Sequence, residues 1–182
     1  KTLTVPQTTV HKNLEISALR YPDKAALIYY DSVITYRELL KEVEQMAGYL
    51  QQDCGIKKGD RVLLYMQNSP QFVIAYYAIL RADAIVVPVN PMNKADELEH
   101  YVDDTNATTI FVAQDLYSNV IKLNHPKVEH IILACYADYL TTETDLNIPP
   151  FVKDDRLVVS NPKVIAWQKA LDANRQPSAS LT

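Results

Sequence analysis

Residue types able to do chemistry are sparse in this chain, and their spacing withholds more than it offers. Only three glycines occur, Gly48, Gly55 and Gly59. None falls in a GxxxxGK(S/T), GxGxxG or Ser/Thr/Gly run, whose backbone N–H groups close around phosphate. A nucleoside triphosphate site made by this chain alone is therefore not expected. The histidines are His11, His100, His125 and His130. The spacing of five between His125 and His130 matches neither a helical metal pair nor a zinc motif, so surface or partly buried histidines are expected. Asp103-Asp104 and Asp154-Asp155 would suit magnesium only if further oxygens converged on them. Adjacent carboxylates in polar segments more often face water. Cys54 and Cys135 lie far apart in no metal-like spacing, which reads as two reduced thiols of a cytoplasmic protein. No Ser/His/Asp order or reactive-cysteine setting follows from spacing, so no catalytic, cofactor-binding or metal-binding residue is assigned.

The elements that would position a site are easier to read. A helix is expected after Thr8 or Thr9, with Val10, Leu14, Ala18 and Leu19 on one side and Pro22 and Asp23 ending it. Residues 25–30, a turn at Asp31-Ser32, and residues 33–34 read as a short hairpin. Thr35 with Glu38 three residues on is a capping box. Leu39, Leu40, Val43, Met46, Ala47 and Leu50 then form an apolar helical stripe. Apolar strand-like runs follow at 61–66, 84–89, 108–112 and 128–133, with helix candidates at 70–81, 94–105 and 115–123. Strand starts 20 to 24 residues apart are too widely spaced for hairpins and suit serial βαβ units, hence a mainly parallel sheet in an α/β fold. Ser69 followed by Pro70 is a second good helix start. After Ala134 the pattern decays, and only 164–171, with Trp167, reads as another helix.

In such a sheet, ligands approach the carboxyl ends of the strands. Those ends would present Gln67 and Asn68, then Asn90 and Asn93, then Gln114 and Asp115. Asn68, Asn90 and Asn93 are the weak substrate-binding candidates. The simpler reading has Asn68, Ser69 and Asn93 capping helices while Asn90 shapes a turn between Pro88 and Pro91. Phe72, Tyr76, Tyr77 and Leu80 lie at helical spacing and suit a core better than an acyl chain.

Composition bounds the partners. A hydrophobic fraction of 48%, a charged fraction of 22% and a net charge of −4 are ordinary for a globular protein and leave no footprint for nucleic acid. The longest apolar run, 72–80, is far short of the ~20 residues that span a bilayer, so no transmembrane segment is expected. The start at Lys1, without a charged-then-apolar leader, and the polar tail 176–182 suggest a piece of a larger protein. Such a tail has too little apolar surface to fix itself.

Four short segments in residues 34–112 carry a resemblance: Thr35-Tyr36-Arg37-Glu38-Leu39, Gly59-Asp60-Arg61-Val62, Asn68-Ser69-Pro70-Gln71-Phe72 and Pro88-Val89-Asn90-Pro91. In this order and spacing they resemble the N-terminal part of the adenylate-forming acyl-CoA synthetases, especially long-chain fatty-acid–CoA ligases. The likeness runs over 5–171 and weakens after Leu140. It implies a parent enzyme that uses ATP, Mg²⁺ and CoA to activate a fatty acid, cytoplasmic or peripheral at the membrane. It also implies an N-terminal subdomain over 1–182, with a core at about 8–134 and a variable connector at 135–182. Since the family's Ser/Thr/Gly-rich phosphate loop is missing, this chain is expected to bind no cofactor and to act as scaffold. The segment Tyr136-Ala137-Asp138-Tyr139-Leu140 and the long stretch before Trp167 favour a fatty acid as substrate. One departure is Asp83, where relatives usually place glycine or another small residue, which puts the local turn in question. Alternatives are an aryl-acid ligase, a luciferase-like enzyme, a peptide-synthetase adenylation domain, or a non-catalytic homo-oligomerisation module. A free-standing flavodoxin-like nucleotide binder is disfavoured by the missing glycine loop.

Overall fold

Two sheets of unequal size organise the chain, which a computed structural model describes for residue 3 and residues 7–179. After helix α1 (Val10–Arg20) come the antiparallel strands β1 (Ala25–Tyr29) and β2 (Ser32–Thr35). There follow α2 (Tyr36–Gln52), β3 (Arg61–Tyr65), α3 (Pro70–Arg81), β4 (Ile85–Pro88), α4 (Ala95–Thr105), β5 (Thr109–Ala113), α5 (Tyr117–Leu123) and β6 (His130–Ala134). A 3₁₀ turn at Tyr136–Tyr139, the short α6 (Pro150–Lys153), β7 (Val164–Ala166) and α7 (Trp167–Asp172) complete it. Strands β3 to β7 form one parallel sheet in the order β4-β3-β5-β6-β7.

The expected signals explain much of this. The Thr35 hydroxyl accepts from Glu38 N–H at 3.3 Å while the Glu38 carboxylate accepts from Thr35 N–H at 2.8 Å, closing both ends of the capping box. Ser69 accepts from Phe72 N–H at 3.2 Å, with Pro70 beside it at the first helical position. Core forms on both faces of the sheet. One face packs Met46, Leu50, Ile74, Ala78 and Trp167; the other packs Leu98, Val102, Tyr117 and Val120.

Several expectations are corrected. Helix α1 buries His11, Leu14 and Ala18, while Val10 and Leu19 are exposed. The hairpin turns at Tyr30-Asp31, both with positive φ, because the right-handed strand twist demands that geometry of a two-residue loop. Residues 164–166, expected to be helical, form β7 beside β6. In α3 the fully buried side is Ile74, Ala75, Ala78 and Ile79, while Phe72, Tyr76 and Tyr77, expected in the core, pack half-buried against its margin and Leu80 is half-buried. Packing also continues past residue 134: Tyr136, Tyr139, Val152, Trp167 and Leu171 are all buried. The tail is held as far as it is described: Ser178 N–H donates to Gln51 Oε1 at 2.9 Å and its carbonyl accepts from Arg81 at 2.9 Å. Residues 180–182 lie outside the described residues, as does Lys1. Asp83 takes φ 59°, a left-handed turn that glycine adopts freely and that aspartate tolerates better than most residues.

Candidate functional site

Numbered within the sheet, the strand order is 2-1-3-4-5, which places the switch point between β3 and β5. Ligands of open α/β sheets settle in the crevice outside the carboxyl ends at that point. Here β3 runs out into Met66, Gln67 and Asn68, and β5 into Gln114 and Asp115.

Protein groups already occupy much of this crevice. The buried Tyr136, just after β6, accepts Gln67 N–H on its hydroxyl at 2.8 Å, and burial pushes that phenol far above its usual range. Gln71, fully buried in the first turn of α3, donates through Nε2 to the Cys135 carbonyl at 2.6 Å, and its Oε1 has no partner. Gln114 ties the edge to the segment before β7: Nε2 donates to the Asp155 carbonyl and Oε1 accepts from Leu157 N–H, both at 2.9 Å. Asn68 and Asp115 keep exposed surface. The crowded sheet edge raises the Asp115 pKa through desolvation, although part of its surface stays open to water.

The three candidate amides separate by role. Asn90 shapes a turn, its Oδ1 accepting from Met92 N–H at 2.9 Å. Asn93 does not cap α4; Lys94 occupies that position and its N–H is taken by Glu97. The Asn93 carbonyl instead accepts from the Tyr65 hydroxyl at 2.5 Å, and that hydroxyl accepts from Asn119 Nδ2 at 2.8 Å. Asn68 does not cap either, since Ser69 does so. Sequence reading missed Gln71, Asn119 and Tyr136. Their partners lie 54 to 69 residues away, so no local signal marks them.

The amino end of α3 and the acidic groups offer little to a phosphate or a metal. Pro70 has no N–H, Ser69 already takes the Phe72 N–H, and Val73 N–H bonds the Ser69 carbonyl at 3.3 Å. Of the first amides of α3, only that of Gln71 could face an anion. Among the described residues, Glu99, Asp103 and His125 approach metal-like spacing. Yet His125 Nδ1 accepts from Lys127 N–H at 3.2 Å, which leaves Nε2 as the protonated nitrogen facing Asp103 at 3.3 Å. Lys127 Nζ also holds Asp103, at 3.1 Å. Asp154 and Asp155 contribute carbonyls, not carboxylates, to the Gln114 contacts. Both cysteines are buried and free, and burial pushes the Cys54 thiol up to about 12 and raises Cys135 as well. Neither is an activated nucleophile. His11, expected nearer the surface, is buried with Nδ1 unpartnered, and burial lowers its pKa.

The site is thus an amide-rich strand edge, partly filled by Tyr136 and Gln71 and open at Gln67, Asn68 and Asp115. The profile of the AMP-binding enzyme family matches residues 14–174. Long-chain-fatty-acid–CoA ligase from Salmonella typhimurium is 37% identical over 161 residues, covering 86% of this chain and 29% of that protein. Its Bacillus subtilis counterpart is 34% identical over 148 residues, covering 81% and 26%. Among solved structures, the anthranilate CoA ligase AuaEII with anthranoyl-AMP superposes with a TM-score of 0.76 at 20% identity, covering 96% of this chain and 30% of that one. A benzoate CoA ligase from Burkholderia xenovorans LB400 superposes at 0.74 with 17% identity and the same coverage. Those two likenesses establish the fold alone. This chain spans under a third of the length of the ligases it matches, and it belongs to the AMP-binding enzyme family.

Proposed function

We propose that this chain is the amino-terminal α/β unit, residues 1–182, of an ATP-dependent long-chain fatty-acid–CoA ligase. The complete enzyme would form an acyl-adenylate from ATP and a fatty acid, then pass the acyl group to the thiol of CoA. The observation that carries this reading is the 37% identity to long-chain-fatty-acid–CoA ligases across 86% of the chain. No chemical step is assigned to the described residues. Their part is scaffold: the α2–α3 face and the β3–β5 edge form a rigid wall on which the rest of the ligase can build its site. Asn68, Asn90 and Asn93 would line that wall beside the acyl or pantetheine passage.

In this reading the complete enzyme works in the cytoplasm or at a membrane surface. Among the described residues no helix is long and apolar enough to cross a membrane. The exposed Ile28 and Val33 on the hairpin would support self-association of the chain in isolation.

Substrate screening of the complete protein tests the reading. Palmitate should exceed benzoate and free amino acids by at least about a hundredfold in kcat/KM, some 2.7 kcal/mol of differential binding. A preference for an aryl acid would move the assignment to an aryl-acid ligase.

A further inference from the structure

At the amino edge of the sheet, on the face covered by α4 and α5, a cleft of about 300 Å³ opens between α5, the start of β6 and the turn into β7. Its floor is apolar, with Val120, Val128 and Ile131 buried beneath it and Ile121, 55% exposed, at its rim, while Asn124, His125 and Asn161 make the rest of the lining polar. The volume is at the small end of those that hold ligands, room for a short chain and not for a protein segment.

The rim is polar and fixed. Lys163 N–H donates to Asn161 Oδ1 at 3.0 Å, the Lys163 carbonyl accepts from Ile131 N–H at 2.8 Å, and Val164 N–H donates to the Asn161 carbonyl at 3.0 Å. The backbone that carries Lys163 is thereby tied to the sheet. Among the described residues no carboxylate pairs with the Lys163 ammonium. Asp103, beside the cleft residue His125, is already shared between His125 and Lys127. An apolar floor edged by polar groups, with one exposed ammonium that no carboxylate neutralises, is complementary to an anionic head on a short aliphatic tail.

We infer that this cleft is a separate, non-catalytic site for a short- to medium-chain aliphatic carboxylate, its tail against Val120, Val128 and Ile131 and its head against Lys163. The inference rests on the cleft and its rim, and holds whichever acid the complete enzyme activates.

Octanoate titrated into the 182-residue chain, followed by methyl resonances and calorimetry, tests it. The expected result is saturable binding near or below about 1 mM, with shifts centred on the Val120, Val128 and Ile131 methyls. Octanol, which leaves the ammonium unpaired, should bind about tenfold more weakly, and acetate should not bind measurably below about 10 mM. Lys163→Gln should weaken octanoate about five- to tenfold while leaving octanol unchanged. Ile121→Trp, an exposed change that spares the core, should narrow the mouth and weaken both. Unmoved methyls at about 10 mM octanoate, equal binding of octanol, or full affinity in Lys163→Gln would each overturn the proposal.

Discussion

Glu38 and Glu42, one turn apart on α2, are pushed in opposite directions by their surroundings. Glu38 sits below the ordinary carboxylate range because Thr35 N–H, and then the Thr35 hydroxyl, donate to it. Its contribution to stability is therefore present above the unfolded-state pKa and lost as pH falls through the folded-state value. Glu38→Gln should lower the urea midpoint at pH 7, and its difference from the parent should shrink as pH falls through the folded-state value. Glu42 runs the other way, since burial raises its pKa. The stability it contributes is present below the unfolded value and lost as pH rises through the folded one, so Glu42→Gln should raise the melting temperature at pH 7 and leave it unchanged near about pH 4. The Tyr139 hydroxyl joins this residue to the core. It donates to Glu42 Oε2 at 2.5 Å and accepts from Trp167 Nε1 at 2.8 Å. Tyr139→Phe would strand both partners and should cost about 1–3 kcal/mol in chemical denaturation.

Among the elements, α2 and α7 do the most to join the late part of the chain to the early part. Gly48 lies inside α2, where glycine is ordinarily unfavourable. A Cβ there would meet the Arg175 backbone carbonyl at 2.6 Å, so Gly48 marks the close passage of residues 174–178 over the helix. Gly48→Ala should therefore release that strap: limited proteolysis should cut near Arg175 faster, and stability should fall by about 1–3 kcal/mol despite alanine's better helix propensity. Trp167 opens α7 with 1% of its surface exposed, its ring 5.7 Å from that of Phe111 on β5. Trp167→Ala should cost about 3–5 kcal/mol, measured by urea unfolding. Elements with long periodic patterns and clear caps, such as α2 and α3, could be read from the sequence to within a residue or so. The failures were short. Val164-Ile165-Ala166 is too brief for periodicity to separate strand from helix, and only its pairing with β6 makes it a strand. The hairpin turn carries Tyr30 at φ 46°, which a search for favoured turn residues passes over.

For the whole molecule, the parallel sheet followed from strand spacing, and the family from segments at 35–39, 59–62, 68–72 and 88–91. The contacts at the carboxyl edge were not legible in the sequence. Strand ends announced Asn68, Asn90 and Asn93, but Tyr136, Gln71 and Asn119 act through contacts between distant positions that no local pattern reports. The account's central claim is the proposal that this chain is scaffold for a ligase and performs no adenylation itself. Incubation of the isolated chain with ATP, Mg²⁺ and labelled palmitate, with the complete protein in parallel, tests the claim most directly. The complete protein should accumulate palmitoyl-adenylate and, once CoA is added, palmitoyl-CoA, while the isolated chain yields neither. Palmitoyl-adenylate formed by the isolated chain would contradict the account.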